Sequence, residues 1–248
     1  MKSDVLVNKL IDIAQNVPTH YGLGMWGQVI TPEIIIAKAR QLPSFYTEKK
    51  RRELEGVCDG KTVGFDCVCL IKSVLWGWIG DLRKKNCGAV YASGNVPDVN
   101  ADGMIARCAG VTSDFSGESA PVPGEALWKS GHIGIYIGEG LAVECTPQWK
   151  NCVQITGVSG MEHEGGYPER KWTKHGRLPW VTYSDEGAYL PECVSKKTYE
   201  DYVVKHGDTL WGIAKERLGD GKKYKEIKKA NGLITDVIKV GQVLKIPK

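Results

Sequence analysis

Two residues of this chain stand where covalent chemistry is possible: a cysteine at the expected start of a helix and a histidine at the expected start of a strand. Cys67 lies in Gly64-Phe65-Asp66-Cys67-Val68-Cys69-Leu70-Ile71-Lys72, where Asp66 is a fair helix cap. The helix dipole and the free backbone N–H groups there favour a thiolate, the nucleophilic form, although the charge of Asp66 opposes it. His132 opens Gly131-His132-Ile133-Gly134-Ile135-Tyr136-Ile137-Gly138, whose period-two pattern predicts a strand with isoleucines on one face. Ala142-Val143-Glu144-Cys145 reads as the return strand. A hairpin centred on Gly138 would set His132 and Glu144 opposite each other on one face. A carboxylate holding one ring nitrogen leaves the other to face the thiol, which is the logic of nucleophile, base and orienter. His175, in Trp172-Thr173-Lys174-His175-Gly176-Arg177, is a rival orienter because it lies near a predicted strand. His20, His163 and His206 read as surface residues.

The two motifs, in this order, resemble the NlpC-type peptidoglycan cysteine peptidases, a papain-like family. The resemblance covers roughly residues 10–183 and implies Cys67 as nucleophile, His132 as base and Glu144 as orienter. It also implies Tyr21 and Asp66 as substrate-binding residues. The sequence departs from the family at two points. The third residue is commonly His, Asn or Gln rather than Glu, and Ser-Gly usually follows the cysteine where this chain has Val68-Cys69. The element His20-Tyr21-Gly22-Leu23-Gly24 is similar to the family's pocket-lining aromatic segment, but lies more than forty residues before Cys67. The implied reaction is hydrolysis of a wall-peptide amide, with no metal and no cofactor. The family most often cuts between D-glutamate and the diamino acid of the stem; the amide joining N-acetylmuramic acid to L-alanine is the alternative.

A second module follows. Tyr202-Val203-Val204-Lys205-His206-Gly207-Asp208-Thr209-Leu210-Trp211 reads as strand, turn and helix, with Asp208 or Thr209 as cap. A helix over 222–230 ends at Asn231-Gly232, and residues 240–247 make a closing strand. This pattern is similar to the LysM domain. The resemblance implies glycan binding by Gly207, Asp208, Thr209 and Leu210 together with Asn231, Gly232, Leu233 and Ile234, although Leu210 and Leu233 are equally suited to be core residues of so small a domain.

The elements that must position these residues give an α+β fold: helices packed on an antiparallel sheet over 1–183, a linker over 184–198, and a small βααβ domain over 199–248. The region up to about Leu54 looks helical, with Thr31 and Pro32 starting a second helix. Residues 88–125, rich in Gly, Ser, Asp and Pro, read mostly as loop lining a cleft. Further short strands are expected at 152–156 and 177–183.

Composition sets limits on function. Residues 199–248 hold 11 Lys or Arg and 7 Asp or Glu, which accounts for the whole formal net charge of +4. The lysines at 222, 223, 225, 228 and 229 interleave with Tyr224 and Ile227 at helical spacing, so one solvated helix face is expected rather than a nucleic-acid module. No segment has the roughly 18 continuous apolar residues of a membrane span, and the N-terminus reads as an amphipathic helix rather than a secretory signal. The expectation is a monomer made in the cytoplasm that acts on bacterial peptidoglycan after release, an arrangement resembling a phage endolysin, with a host autolysin as the alternative context. Its eight cysteines have no zinc-site spacing and are expected as free thiols, most of them buried. A non-catalytic wall-binding protein and a related acyltransferase are the other classes this pattern allows.

Overall fold

The computed structural model describes residues 1–183, 199–231, 233 and 235–247; the expected linker at 184–198 and the residues Gly232 and Ile234 lie outside the described residues. The chain forms two compact units, Met1–Pro191 and Glu192–Lys248. Both are α+β, and no helix among the described residues is long and apolar enough to cross a membrane.

The first unit begins with α1 (Ser3–Asn16), β1 (Thr19–Tyr21), β2 (Trp26–Val29), α2 (Pro32–Gln41), α3 (Glu48–Glu55), β3 (Val63–Phe65) and α4 (Cys67–Leu75). Thr31 caps α2, accepting a hydrogen bond from Ile34 N–H at 3.3 Å, a contact worth about 1 kcal/mol. The stretch expected to be helical up to Leu54 therefore also contains two strands. They are too short to show a period, and their partner, β3, lies about forty residues away. Together they form a three-stranded sheet in the order β1-β3-β2, with β1 parallel to β3 and Tyr21 opposite Phe65.

Next come α5 (Ala101–Ile105), β4 (Ala109–Thr112), β5 (Ala126–Lys129), β6 (His132–Gly138), β7 (Leu141–Thr146), β8 (Cys152–Val158), β9 (Glu169–Arg170) and β10 (Lys174–Arg177). The expected strand at 177–183 lies earlier, at β10, and ends before Pro179, which has no N–H to offer a ladder. Strands β4 to β10 form one sheet in the order β4-β10-β5-β6-β7-β8-β9, antiparallel except for β8 with β9. Ile133, Ile135 and Ile137 are fully buried on the β6 face that α1 and α4 cover. The other face of the sheet is also covered: every residue of β7 is buried.

Chain length forces the sheet to curl. From β10 to β9 there are five inter-strand steps, which in a flat sheet would span about 24 Å. Arg170 and Lys174 are joined by only four residue steps, which reach at most about 14 Å. The sheet must bend until β9 and β10 approach one another, and the connecting residues then lie across its concave face. Leu127, Tyr136, Ala142, Val158 and Trp172 pack together there.

The second unit is β11 (Tyr199–Val203), α6 (Leu210–Leu218), α7 (Tyr224–Ala230) and β12 (Val243–Pro247), with β11 and β12 antiparallel. Its own core is Tyr202, Val204, Leu210, Ile213, Ala214, Ile227, Leu244 and Ile246.

The β6–β7 turn fixes the register on which any His132–Glu144 pairing depends. Glu139 and Gly140 both have positive φ, at 49° and 67°, the backbone of a two-residue type I′ hairpin. A Cβ at Gly140 would also sit 2.1 Å from the carbonyl oxygen of Glu162. Gly140→Ala is expected to lower unfolding free energy by about 1–3 kcal/mol, read from urea melts. Gly110→Ala, also at positive φ but with nothing within 4 Å, should lose less; equal losses would show that the Glu162 contact does not matter.

Candidate active site

Helix α4 begins where its sequence requires. Asp66 caps it, with Oδ1 accepting from Cys69 N–H at 2.6 Å and Oδ2 from Gly24 N–H at 2.7 Å. Both oxygens of this buried carboxylate are therefore engaged by backbone. Asp66, expected as a substrate contact, ties the turn after β1 to the helix that carries Cys67. The same tie and the β1–β3 pairing bring Tyr21 beside Cys67 despite their separation in sequence. Burial raises the Tyr21 phenol well above its usual range, and the neighbouring Cys67, Asp66 and Cys145 raise it further.

Cys67 is buried at the first position of α4. Burial and then Asp66 push its thiol up to about 12, and the backbone N–H groups of Ile133, Val68 and Cys67 itself offset this only in part. The balance leaves a neutral thiol at pH 7, so the sulfur needs a base to become a nucleophile. Helix α4 packs on β6, the strand that His132 opens.

His132 Nε2 lies 2.6 Å from Glu144 Oε2. The hairpin register differs from one centred on Gly138. Ile135 pairs with Val143 and Tyr136 with Ala142, with an irregularity before Gly138. Continuing that register puts Gly134 opposite Glu144, so His132 and Glu144 are diagonal neighbours. The shift preserves the face; an odd slip would have sent Glu144 to the isoleucine side. Gly134 keeps the space between them open, since a Cβ there would lie 3.0 Å from both Trp172 Cη2 and the carbonyl of Val143.

Glu144 has no exposed surface. Thr156 Oγ1 donates to its Oε1 at 2.7 Å, and Arg170 Nε donates to Oε1 at 2.8 Å and Oε2 at 2.7 Å. Burial alone would raise this carboxyl, but the hydrogen bonds with His132 and Arg170 outweigh it and hold it below the usual range. Trp172 stacks on the His132 ring at 5.6 Å between centroids and 11° between planes. Arg170, Thr156 and Trp172 were not singled out by sequence. A buried carboxylate demands a counter-charge, but nothing in the spacing of residues 144 and 170 says which cation supplies it.

His175 belongs to a different network. Its Nδ1 lies 2.6 Å from Glu125 Oε2 and its Nε2 2.9 Å from the carbonyl of Asp114, so it does not orient His132. His20 and His163 are not simple surface residues either. His20 Nε2 lies 2.8 Å from Glu53 Oε1, and His163 Nε2 lies 3.4 Å from Glu169 Oε1 with its ring largely buried; His206 is exposed. The segment 88–125 contributes through α5, whose Asp102 Oδ1 accepts from Trp128 Nε1 at 2.8 Å and from Gly131 N–H at 3.1 Å, holding the turn before His132. Cys58, Cys67, Cys69, Cys87, Cys108, Cys145 and Cys152 are free thiols, four of them buried; Cys193 lies outside the described residues. Among the described residues no group of three His, Cys, Asp or Glu side chains could hold a metal ion.

In the second unit, Thr209 caps α6 by accepting from Gly212 N–H at 3.0 Å, and Asp208 Oδ2 accepts from Tyr202 Oη at 2.9 Å and Lys205 N–H at 2.7 Å. Leu210 is a core side chain and Leu233 packs partly against that core. Asn231 Nδ2 donates to Lys245 O at 2.9 Å while its Oδ1 accepts from Lys245 N–H at 2.8 Å, so this side chain pins β12.

Comparison with known proteins speaks for this unit. Residues 202–247 match the LysM domain family, so the chain carries a C-terminal LysM domain after an α+β unit in which a buried cysteine and a buried glutamate lie near a partly buried histidine. The chain is similar to the probable peptidoglycan endopeptidase LytE of Bacillus subtilis (strain 168), at 51% identity over 45 residues. That match lies in the LysM region and covers 18% of this chain and 13% of the relative.

Because the Cys67 thiol rests neutral, its reactivity should depend on His132. In His132→Ala, alkylation of Cys67 by iodoacetamide at pH 7.5, followed by tandem mass spectrometry, is expected to fall by about 10²-fold or more. Cys69, on another side of the helix, should be unaffected. Unchanged labelling of Cys67 would remove His132 as its base.

Proposed function

We propose that this chain is a peptidoglycan hydrolase that cuts an amide of the wall peptide, with an N-terminal unit of the papain-like NlpC type and a LysM domain that holds the glycan. The observation that carries this reading is a helix-start thiol on α4, which packs on the strand opened by His132, whose Nε2 is held 2.6 Å from a buried carboxylate. In this reading His132 Nδ1 takes the proton from Cys67 Sγ, and the thiolate adds to the amide carbonyl. The N–H of Cys67 helps to hold the oxyanion. His132 then returns its proton to the departing amine, leaving a thioester that water hydrolyses with His132 again as base. Tyr21, beside the sulfur, lines the pocket, while Asp66 fixes the loop that carries it. This chemistry uses no metal or cofactor.

The LysM domain supports action at the cell wall, with the loop Gly207 to Leu210 and the stretch Asn231 to Ile234 as its glycan contacts. The name of LytE points the same way, although the likeness lies in the wall-binding module and not in the chemistry. The bond we favour is the stem amide between D-glutamate and the diamino acid. A chain of this plan acts as an endolysin-like monomer on peptidoglycan.

Digestion of purified wall followed by labelling of new amino groups separates the possibilities. A newly free diamino-acid α-amine is expected; new N-terminal L-alanine with intact stems would make the enzyme an amidase. Cys67→Ser should abolish product, and full activity in that folded variant would end the thiol mechanism. No product from the wild-type chain would leave a non-catalytic wall-binding protein.

The division of labour is tested by ending the chain near Lys197. The shortened protein should process soluble wall fragments at an unchanged rate but sediment poorly with intact wall, because a tether raises local concentration without touching the chemistry. Equal wall binding by both forms would refute the anchoring role.

A further inference from the structure

We infer that Arg170 is a positioning residue that uncouples the charge of Glu144 from that of His132, leaving the imidazole free to be a neutral base. The inference rests on the reading above in which His132 serves Cys67. It starts from the burial of Glu144. A carboxylate with no exposed surface must be neutralised by a partner or take up a proton.

The charged and titratable groups around Glu144 come from three strands. His132 reaches it from β6 and Arg170 from β9, while the Cys145 thiol lies beside it on β7 but donates away, to the carbonyl of Phe65 at 3.3 Å. Thr156 of β8 adds a neutral hydroxyl. If His132 were the only cation, Glu144 could stay ionised only while His132 was an imidazolium. Deprotonating the ring would then drive a proton onto the carboxylate and end its use as an acceptor. Arg170 removes that dependence, since a guanidinium keeps its charge at any working pH. The ionised Glu144 can then accept the Nε2–H of a neutral ring, which fixes the tautomer with Nδ1 open.

The shape of the site suits an arginine and not merely a cation. Nε contacts both carboxylate oxygens and Nη2 donates to Thr146 Oγ1 at 3.2 Å. The flat guanidinium lies 4.8 Å from the ring centroid of Trp149 and 5.7 Å from that of Trp172, and Trp172 also stacks on His132. The short β9–β10 connection thus delivers together the group that neutralises the orienter and the ring that flattens against the base. A lysine could supply the charge but not the fork or the stacking plane.

The test uses the full chain and four variants: Arg170→Gln, Arg170→Lys, Glu144→Gln and the double Glu144→Gln/Arg170→Gln. Nitrogen NMR of histidine-labelled protein follows the tautomer and titration of the His132 ring, and iodoacetamide labelling of Cys67 across pH follows the thiol. In Arg170→Gln the His132 imidazolium should persist about one pH unit or more higher than in the wild type, and Cys67 labelling near pH 7 should fall at least about tenfold. Arg170→Lys should lie between the two. Glu144→Gln alone leaves a buried, unpaired guanidinium, so the double variant, with no charge at either position, should label faster than either single glutamine variant. A merely structural role would not produce that recovery.

A His132 titration in Arg170→Gln that superimposes on the wild type would overturn the inference, as would a double variant no better than its worse parent. If Arg170→Gln does not fold, an Arg170→Lys titration displaced upward by less than about one pH unit, with labelling reduced less than about tenfold, supports the charge role, and a titration shifted as far as expected for Arg170→Gln overturns it. Should wild-type Cys67 label no faster than Cys69, the thiol mechanism fails, while the His132 titration still decides the role of Arg170.

Discussion

A single buried carboxylate constrains much of the first unit. Glu144 sits on a central strand with no exposed surface, where an uncompensated charge would cost several kcal/mol. Its hydrogen bonds to His132, Thr156 and Arg170 therefore specify three neighbouring positions at once. They fix the face of β6, the register of β8 and the landing point of the β9–β10 connection. Removing any donor leaves a polar group without its partner in a place water does not reach, so the network also opposes strand slippage.

The connection that brings Arg170 is too short for a flat sheet, and that shortage shapes the fold. Curling the seven strands until β9 and β10 approach wraps a concave face around Tyr136, Ala142 and Trp172. The same curl lays Trp172 over His132. On the convex side, α4 meets the isoleucine face of β6 with its first turn pointing at the strand's start. Thus one face of the sheet holds His132 and Glu144, while α4 with Cys67 packs on the other. Tyr21 joins them through β1, held by its parallel pairing with β3 and by the Asp66 carboxylate.

The LysM domain solves a different problem. Its small core takes in Leu210 beside Tyr202, Ile213 and Ile227, while Trp211, Val237 and Val240 stay exposed. Asn231 closes the domain by bonding to both backbone groups of Lys245.

What the sequence by itself determined was local. Asp66 before Cys67 marks a helix start, the Ile133-Ile135-Ile137 alternation marks a strand with a buried face, and Thr31-Pro32 marks the start of α2, because caps and periodicity act over a few residues. The pairing of His132 with Glu144 on one face was legible too, since parity survives the difference between the expected register and the observed one. The tertiary structure decided the rest. Strands β1 and β2 are stabilised by a partner about forty residues away, so no local pattern announces them. Whether His175 or Glu144 serves His132 depends on which strand lies beside which, and β10 pairs with β5 so that His175 meets Glu125 instead. Arg170 and Trp172 enter the site only because the sheet curls, a consequence of chain length against strand spacing that no residue pattern encodes.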